Sequence, residues 1–265
     1  MKSPVIAVSL ALLVLASCSN DVDMPATPKV GPPTAASSII QPQLSPSSTP
    51  SEPVATGTCP NQSTVVSGVR QPGTISGDVD GDGIDDQIAI ALDRAAPDRC
   101  QAFLIADTRS GEVSGPISTW SLEGGLPQPR LHSVAQITGS GGEEVVVDVA
   151  QGASTQFASV FTDVDGAFLP LTLPKDAPAS PHDVFAYGGS VGHLDAPDCA
   201  EGGEIVVSFA TERGVDVYGV TRDFYTVQGA ALKSDPARHE TSSASFNGLD
   251  RFPEFSTAPF GACPP

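Results

Sequence analysis

Five aspartates within nine residues, Asp78 to Asp86 (DVDGDGIDD), form the clearest chemical feature of this sequence. Carboxylates at positions one, three, five and nine can converge on one centre when the backbone curls tightly, and the two glycines permit that curl. Calcium is the cation that such an oxygen cage suits best. We therefore expect one structural calcium ion with five ligands from this loop: the side chains of Asp78, Asp80, Asp82 and Asp86, and the carbonyl of Ile84.

The residues after this loop predict a strand. The run QIAIAL (87–92) is apolar and contains β-branched isoleucines. An EF-hand loop closes with a glutamate at position twelve and is flanked by helices, whereas position twelve here is Ala89. The alternative to a metal site is a solvated acidic turn, but such turns seldom combine this spacing with a closing aspartate. The motif predicts a metal and leaves its purpose open.

Two later segments share the shape of the first. Residues 134–144 lead into the apolar run 145–149, and residues 190–204 lead into 205–209. Each combines a short strand, a glycine-rich or acidic loop, an acidic residue and an apolar strand, with a period of roughly 60 residues. Further strand-like runs lie between the copies. About four strands per repeat is typical of a propeller blade.

The loop and its following strand closely resemble the FG-GAP/VCBS repeat of integrin-α-like propellers. The resemblance implies that the loop joins two strands of a blade and binds calcium, and that the domain serves extracellular recognition. The second copy has Thr138, Ser140 and Gly142 where ligands would stand, so we expect one good calcium site. A second site near Asp195, in the irregular third copy, stays open.

The expected fold is all-β, a propeller-like assembly of about three four-stranded blades. The 26 glycines and 25 prolines favour many short strands and turns, while 40% hydrophobic residues suffice for a core. Propellers typically close with about four to eight blades. The chain therefore either completes its ring irregularly with its C-terminal tail, or leaves the ring open.

The N-terminal part of the chain predicts export and lipid attachment. Residues 1–17 have the charge and apolar run of a signal peptide, and Leu15-Ala16-Ser17-Cys18 resembles the bacterial lipobox, which implies that Cys18 carries lipid. The alternative is an ordinary cleaved signal peptide. Residues 18–57 are rich in Pro, Ser and Thr and predict a disordered tether. Residues 58–265 then form the β domain, held at the extracytoplasmic face of the cell membrane.

Four cysteines remain once Cys18 is assigned to lipid. An even number in an exported chain predicts two disulfides, and three pairings are possible. We favour the pairs that are local in sequence, Cys59 with Cys100 and Cys199 with Cys263. Zinc binding is the alternative, but the sequence has no Cys-x-x-Cys or paired histidine spacing.

The formal net charge of −18 disfavours nucleic acid as a partner, because phosphates would be repelled. We expect the membrane, through the lipid anchor, and a protein or glycan ligand as partners, with no enzymatic activity. The alternative function is an envelope hydrolase or an accessory domain of one. Gly188–Gly192 matches the Gly-x-Ser-x-Gly pattern around Ser190, but no helix is predicted after it, as a nucleophile elbow requires. The four histidines are scattered in sequence, and none is assigned as a ligand.

Overall fold

The computed structural model describes residues 69–93, 101–118, 128–175, 177 and 184–264. The all-β prediction is confirmed, because strands dominate these residues and the helical part is two short 3-10 helices, Phe246–Arg251 and Pro253–Phe255. None of the described helices is long and apolar enough to span a membrane. The signal peptide, Cys18, the tether, and the predicted pair Cys59–Cys100 lie outside the described residues.

The first group of strands contains the aspartate loop. Strand β3 is central: β1 and β2 both pair with one of its sides, β4 pairs with the other, and β5 pairs with β4, all antiparallel. We call β2–β5 the first meander. The bounds of this group are β1 Val69–Arg70, β2 Ile75–Gly77, β3 Asp86–Leu92, β4 Ala102–Thr108 and β5 Gly111–Ile117.

Two further antiparallel groups follow in chain order. The second meander is β6 to β9, in which each strand pairs with the next. Its bounds are β6 Arg130–Ala135, β7 Glu144–Gln151, β8 Thr155–Val164 and β9 Ala167–Pro170. The third meander is β11 to β14, and β10 precedes it. The bounds are β10 Phe185–Ser190, β11 His193–Ala200, β12 Glu204–Gly214, β13 Val217–Gln228 and β14 Ala231–Ala244.

Hydrogen bonds join all fourteen strands into one mixed sheet. Strands β5 and β9 are parallel where Ser114 is opposite Ala167, and β10 pairs with both β8 and β11. Over the part of the chain that the structure describes, the sheet does not close, because β1 and β14 do not pair with each other.

Apolar side chains from successive meanders pack in shared clusters. Ile88 and Ile90 of β3 belong to the same buried cluster as Val145 and Val147 of β7. The neighbouring Val146 instead joins a second cluster with residues of β12 and β13. Strand β7 is therefore buried on both faces. Burial on both faces explains why its sequence is an almost continuous apolar run instead of an alternating one.

The C-terminal segment packs against β10 and β11. The Phe260 N–H donates to the Pro197 carbonyl at 3.0 Å, and the Phe260 ring meets Phe185 edge to face, with ring centroids 5.2 Å apart. The Sγ atoms of Cys199 and Cys263 are joined at 2.00 Å. The structure thus contains the pairing that we favoured for these two cysteines.

Candidate metal centre

Three carboxylates of the aspartate loop converge. Asp78, Asp80 and Asp86 each offer an oxygen, and these oxygens lie within 4.8 Å of one another. Asp86 begins β3 directly opposite Gly77 at the end of β2, so strand pairing brings the two ends of the loop together. Among the described residues this is the one group of three or more acidic, cysteine or histidine side chains spaced to hold a metal.

Asp86 is the buried member of this group, with only 3% of its surface exposed. One of its carboxylate oxygens, Oδ2, accepts a hydrogen bond from the Val79 N–H at 3.0 Å. Burial raises the pKa of Asp86, and the charges of Asp80 and Asp78 raise it further, against the lowering effect of backbone hydrogen bonds. The carboxylates therefore repel one another, and a cation between them would relieve that repulsion.

The main chain of the loop folds around Asp78. Its two carboxylate oxygens accept hydrogen bonds from the N–H groups of Asp82 at 3.0 Å and Gly83 at 2.8 Å. Gly83 has a φ of +83°, in the left-handed region that favours glycine. These hydrogen bonds hold the carboxylate of Asp78 so that it points into the loop.

Asp82, which we also expected to bind the ion, is not in the three-carboxylate group. Ile84 was expected to bind through its carbonyl and has no carboxylate to contribute. Oδ1 of Asp82 accepts a hydrogen bond from the Ile84 N–H at 2.9 Å, as in a local turn. The side chain of Ile84 is half exposed. The structure therefore brings together three of the four predicted carboxylates.

Neighbouring elements also contact the loop, and sequence reasoning missed them. Ser110, in the turn between β4 and β5, donates to Oδ2 of Asp80 at 3.1 Å. Glu143, before β7, accepts a hydrogen bond from the Asp78 N–H at 2.7 Å. Burial raises the pKa of Asp163 on β8, and the nearby charge of Asp80 adds to the rise. The site thus lies where the first two meanders meet.

In the loop between β6 and β7, hydroxyl groups donate hydrogen bonds to the buried acid that begins β7. Ala135 is opposite Glu144 across β6 and β7, as Gly77 is opposite Asp86 in the first repeat. Glu144 accepts hydrogen bonds from the N–H of Ile137 at 2.7 Å and from the hydroxyl of Thr138 at 2.5 Å. Thr138 and Ser140 here occupy the places of Asp80 and Asp82 in the first loop, and Gln136 occupies that of Asp78. This loop satisfies its buried acid without an ion.

Acidic residues on β11 and at the start of β12 have separate partners. Asp198 accepts hydrogen bonds from the Thr257 hydroxyl and the Ala262 N–H, both at 2.9 Å. Glu204 forms an ion pair with Arg238. In the described chain, no metal-binding group includes these residues or Asp195. Asp198 on β11 therefore fixes the C-terminal segment, and Glu204 at the start of β12 contacts β14.

The segment around Ser190 is a hairpin between β10 and β11. Ser190 is opposite His193 across a turn formed by Val191 and Gly192, and a strand follows this turn. The ring of His193 is hydrogen bonded through Nε2 to the hydroxyl of Thr155 at 2.8 Å. This strand–turn–strand geometry differs from the strand–helix geometry of a nucleophile elbow.

Each described histidine has a carboxylate neighbour, and for His132 and His239 that neighbour is distant in sequence. His132 lies 3.4 Å from Asp148, and His239 lies 2.6 Å from Asp223. His193 lies 3.5 Å from Asp195. His182 lies outside the described residues.

No protein-family model, curated protein or solved structure matches this chain. The resemblance to FG-GAP/VCBS repeats therefore depends on the residues of the loop and its copies.

Proposed function

We propose that this chain is a cell-envelope lipoprotein whose β-repeat domain binds one structural calcium ion and serves non-enzymatic binding or scaffolding. In this proposal the three meanders are propeller-type blades of the FG-GAP/VCBS kind, assembled without a complete ring. The lipid on Cys18 holds the domain at the membrane, and residues 18–57 act as its tether.

The observation that supports calcium is the convergence of Asp78, Asp80 and Asp86 within 4.8 Å. The donor set is all oxygen, which suits a hard cation and disfavours zinc, for which cysteine and histidine are the usual ligands. Calcium takes six to eight oxygen ligands. The Asp82 carboxylate and the Ile84 carbonyl would supply two of those still needed, and water the rest.

The repeat proposal is supported by the position of the three loops. They connect β2 to β3, β6 to β7 and β11 to β12, and each therefore links the first two strands of a four-stranded antiparallel meander. The first two loops have eight residues each, 78–85 and 136–143, whereas most of the third copy is strand β11 and its connection is the short turn 201–203. A calcium ion in the first loop would stabilise the contact between two blades, as a structural and not a catalytic ion.

Thermal unfolding with calcium and with a chelator tests the calcium proposal. Binding to the folded state alone stabilises a protein by about 2.7 kcal/mol when the ion is at 100 times its Kd. We expect calcium to raise the Tm, and Asp80→Asn to abolish the increase. Asp85→Asn makes the same charge change in the same loop, outside the three-carboxylate group, and should keep the response. Equal Tm values for the wild type in calcium and in chelator would refute the proposal.

Fatty-acid labelling of living cells tests the anchor. We expect an alkyne-bearing fatty acid to label the wild-type chain and not the Cys18→Ala variant. The variant should also leave the membrane fraction. A labelled Cys18→Ala variant would exclude this cysteine as the attachment site.

A further inference from the structure

A cavity of about 370 Å³ lies beside the third meander, away from the calcium loop. Three cross-strand pairs supply most of its lining. The two members of each pair stand on the same face of the sheet, so both can reach the cavity. These pairs are Phe209 with Thr221, Asp223 with His239, and Tyr225 with Ser234. Its volume falls within the range of small-ligand sites.

A bulge in β14 creates this arrangement. Asp223 and Tyr225 are two residues apart on β13, whereas their partners His239 and Ser234 are five apart on β14. The extra residues loop out of the pairing, so that both polar side chains of β14 face the cavity. Bulges redirect side chains in this way and are common beside functional sites.

Asp223 has an unsatisfied oxygen at this cavity. Its Oδ1 is 2.6 Å from Nδ1 of His239, while its Oδ2 is buried and has no hydrogen-bond partner among the described residues. Only 14% of the Asp223 side chain is exposed. A buried acceptor without a donor costs roughly 1–3 kcal/mol, and more when it is charged. A ligand that supplied a donor would recover that cost.

The arginines nearest in sequence do not supply this donor. Arg222 forms ion pairs with Glu240 and Glu254, and Arg238 forms one with Glu204. The chain as a whole carries a formal charge of −18, which attracts small cations. The cavity therefore combines a carboxylate that has one unpaired oxygen with the aromatic residues Phe209 and Tyr225.

We propose that this cavity binds a small organic ammonium compound. Its ammonium group donates to Oδ2 of Asp223, and its apolar part lies against Phe209 and Tyr225. An alcohol would donate a hydrogen bond but leave the negative charge in place. An ammonium group would donate a hydrogen bond and also neutralise that charge. A metal ion would need several oxygen ligands converging here, and the carboxylate of Asp223 is shared with a histidine. This site goes beyond the proposed calcium-dependent role and does not depend on it.

Benzylamine and benzyl alcohol are the matched probes, because they differ mainly in the charged group. We expect calorimetry on the full chain to give saturable benzylamine binding, with benzyl alcohol at least tenfold weaker. Asp223→Asn should weaken benzylamine binding at least tenfold. Asp250→Asn makes the same charge change at an exposed residue of a 3-10 helix and should leave binding unchanged.

Amide chemical shifts of the wild-type chain locate the ligand without any variant, so the test holds even if Asp223→Asn fails to fold. Benzylamine should shift the amides of Thr221, Ser234 and His239 most strongly. Absent binding, equal affinity for the two probes, an unchanged affinity in folded Asp223→Asn, or shifts concentrated elsewhere would each overturn the proposal.

Discussion

Two hydrogen bonds join Glu143 and Asp78. The Asp78 N–H donates to Oε2 of Glu143 at 2.7 Å, and the Glu143 N–H donates to the Asp78 carbonyl at 2.7 Å. The two residues are 65 positions apart and belong to the loops between β2 and β3 and between β6 and β7. Gly77 leaves room for this contact, since a Cβ there would lie 2.6 Å from Oε2 of Glu143. The main chain of the first residue of the candidate metal site is thus positioned by the loop between β6 and β7.

Removing the Glu143 side chain should destabilise the fold. A hydrogen bond to a charged group contributes about 1.5–3 kcal/mol, so we expect Glu143→Ala to lower the free energy of unfolding by about that amount. Glu143→Gln keeps an acceptor oxygen and should lose less. Urea unfolding measures both. Glu201→Ala, in an exposed turn, is the control and should change stability little; equal effects at positions 143 and 201 would contradict the role of this contact.

A side chain at position 142 should also separate the two loops. A Cβ on Gly142 would lie 2.3 Å from the carbonyl oxygen of Val79, closer than atoms approach without a backbone shift. Overpacking of this kind costs about 1–3 kcal/mol, so Gly142→Ala should lower the urea midpoint and weaken the calcium response. Gly214→Ala is the matched control, because a Cβ there meets nothing within 4 Å. A Gly142→Ala variant as stable as Gly214→Ala would show that the loops can move apart freely.

The local features of this fold follow from the sequence. The run after Asp86 was expected to be a strand and forms β3, and the three repeat loops each join two paired strands. These features depend on hydrophobic pattern and turn chemistry, which nearby residues determine. Val79 is the second residue after β2, and Ile137 is the second residue after β6. Both side chains are buried, and their N–H groups donate to Asp86 and Glu144, the acids that end the two loops.

Contacts between distant residues could not be read from the sequence. The Glu143 contact and the Ser110 bond to Asp80 come from separate loops that only the packed fold brings together. The pair of His239 and Asp223 depends on the register of β13 and β14, which includes a bulge. A bulge adds residues that shift the pairing register, and the hydrophobic pattern of the sequence does not show where they are added. Counting repeats could likewise not show whether the sheet closes, because closure depends on pairing between strands that are distant in the sequence.

The disulfide should contribute strongly to stability. It closes a segment of 64 residues, and the loop-entropy relation gives about 4 kcal/mol for a loop of that size. We expect the Cys199→Ala/Cys263→Ala double variant to lose about that much in urea unfolding under oxidising conditions. Adding a reductant should then lower the stability of the wild type by more than that of the variant. An equally stable double variant would show that the packing of Phe260 alone fixes the C-terminal segment.

Asp148 should give the protein an acid-sensitive component of stability. It is 5% exposed on β7 and accepts a hydrogen bond from the Tyr187 hydroxyl at 2.5 Å. Burial alone would raise the pKa of Asp148, but hydrogen bonds from His132 and Tyr187 and the charge of Arg130 outweigh it and lower that pKa. The same site raises the pKa of Tyr187, through burial and through its bond to Asp148.

A lowered pKa in the folded state means that the unfolded chain takes up the Asp148 proton first as the pH falls. The stabilisation is therefore complete above the ordinary aspartate pKa of about 3.9 and is lost as the pH falls through the lower folded value. We expect Asp148→Asn to be less stable than the wild type near neutral pH, with a difference that shrinks in acid. Urea unfolding at a series of pH values measures this difference. Asp250→Asn, at an exposed position, should show no such trend, and a difference for Asp148→Asn that stayed constant with pH would mean that the carboxylate gains nothing from its partners.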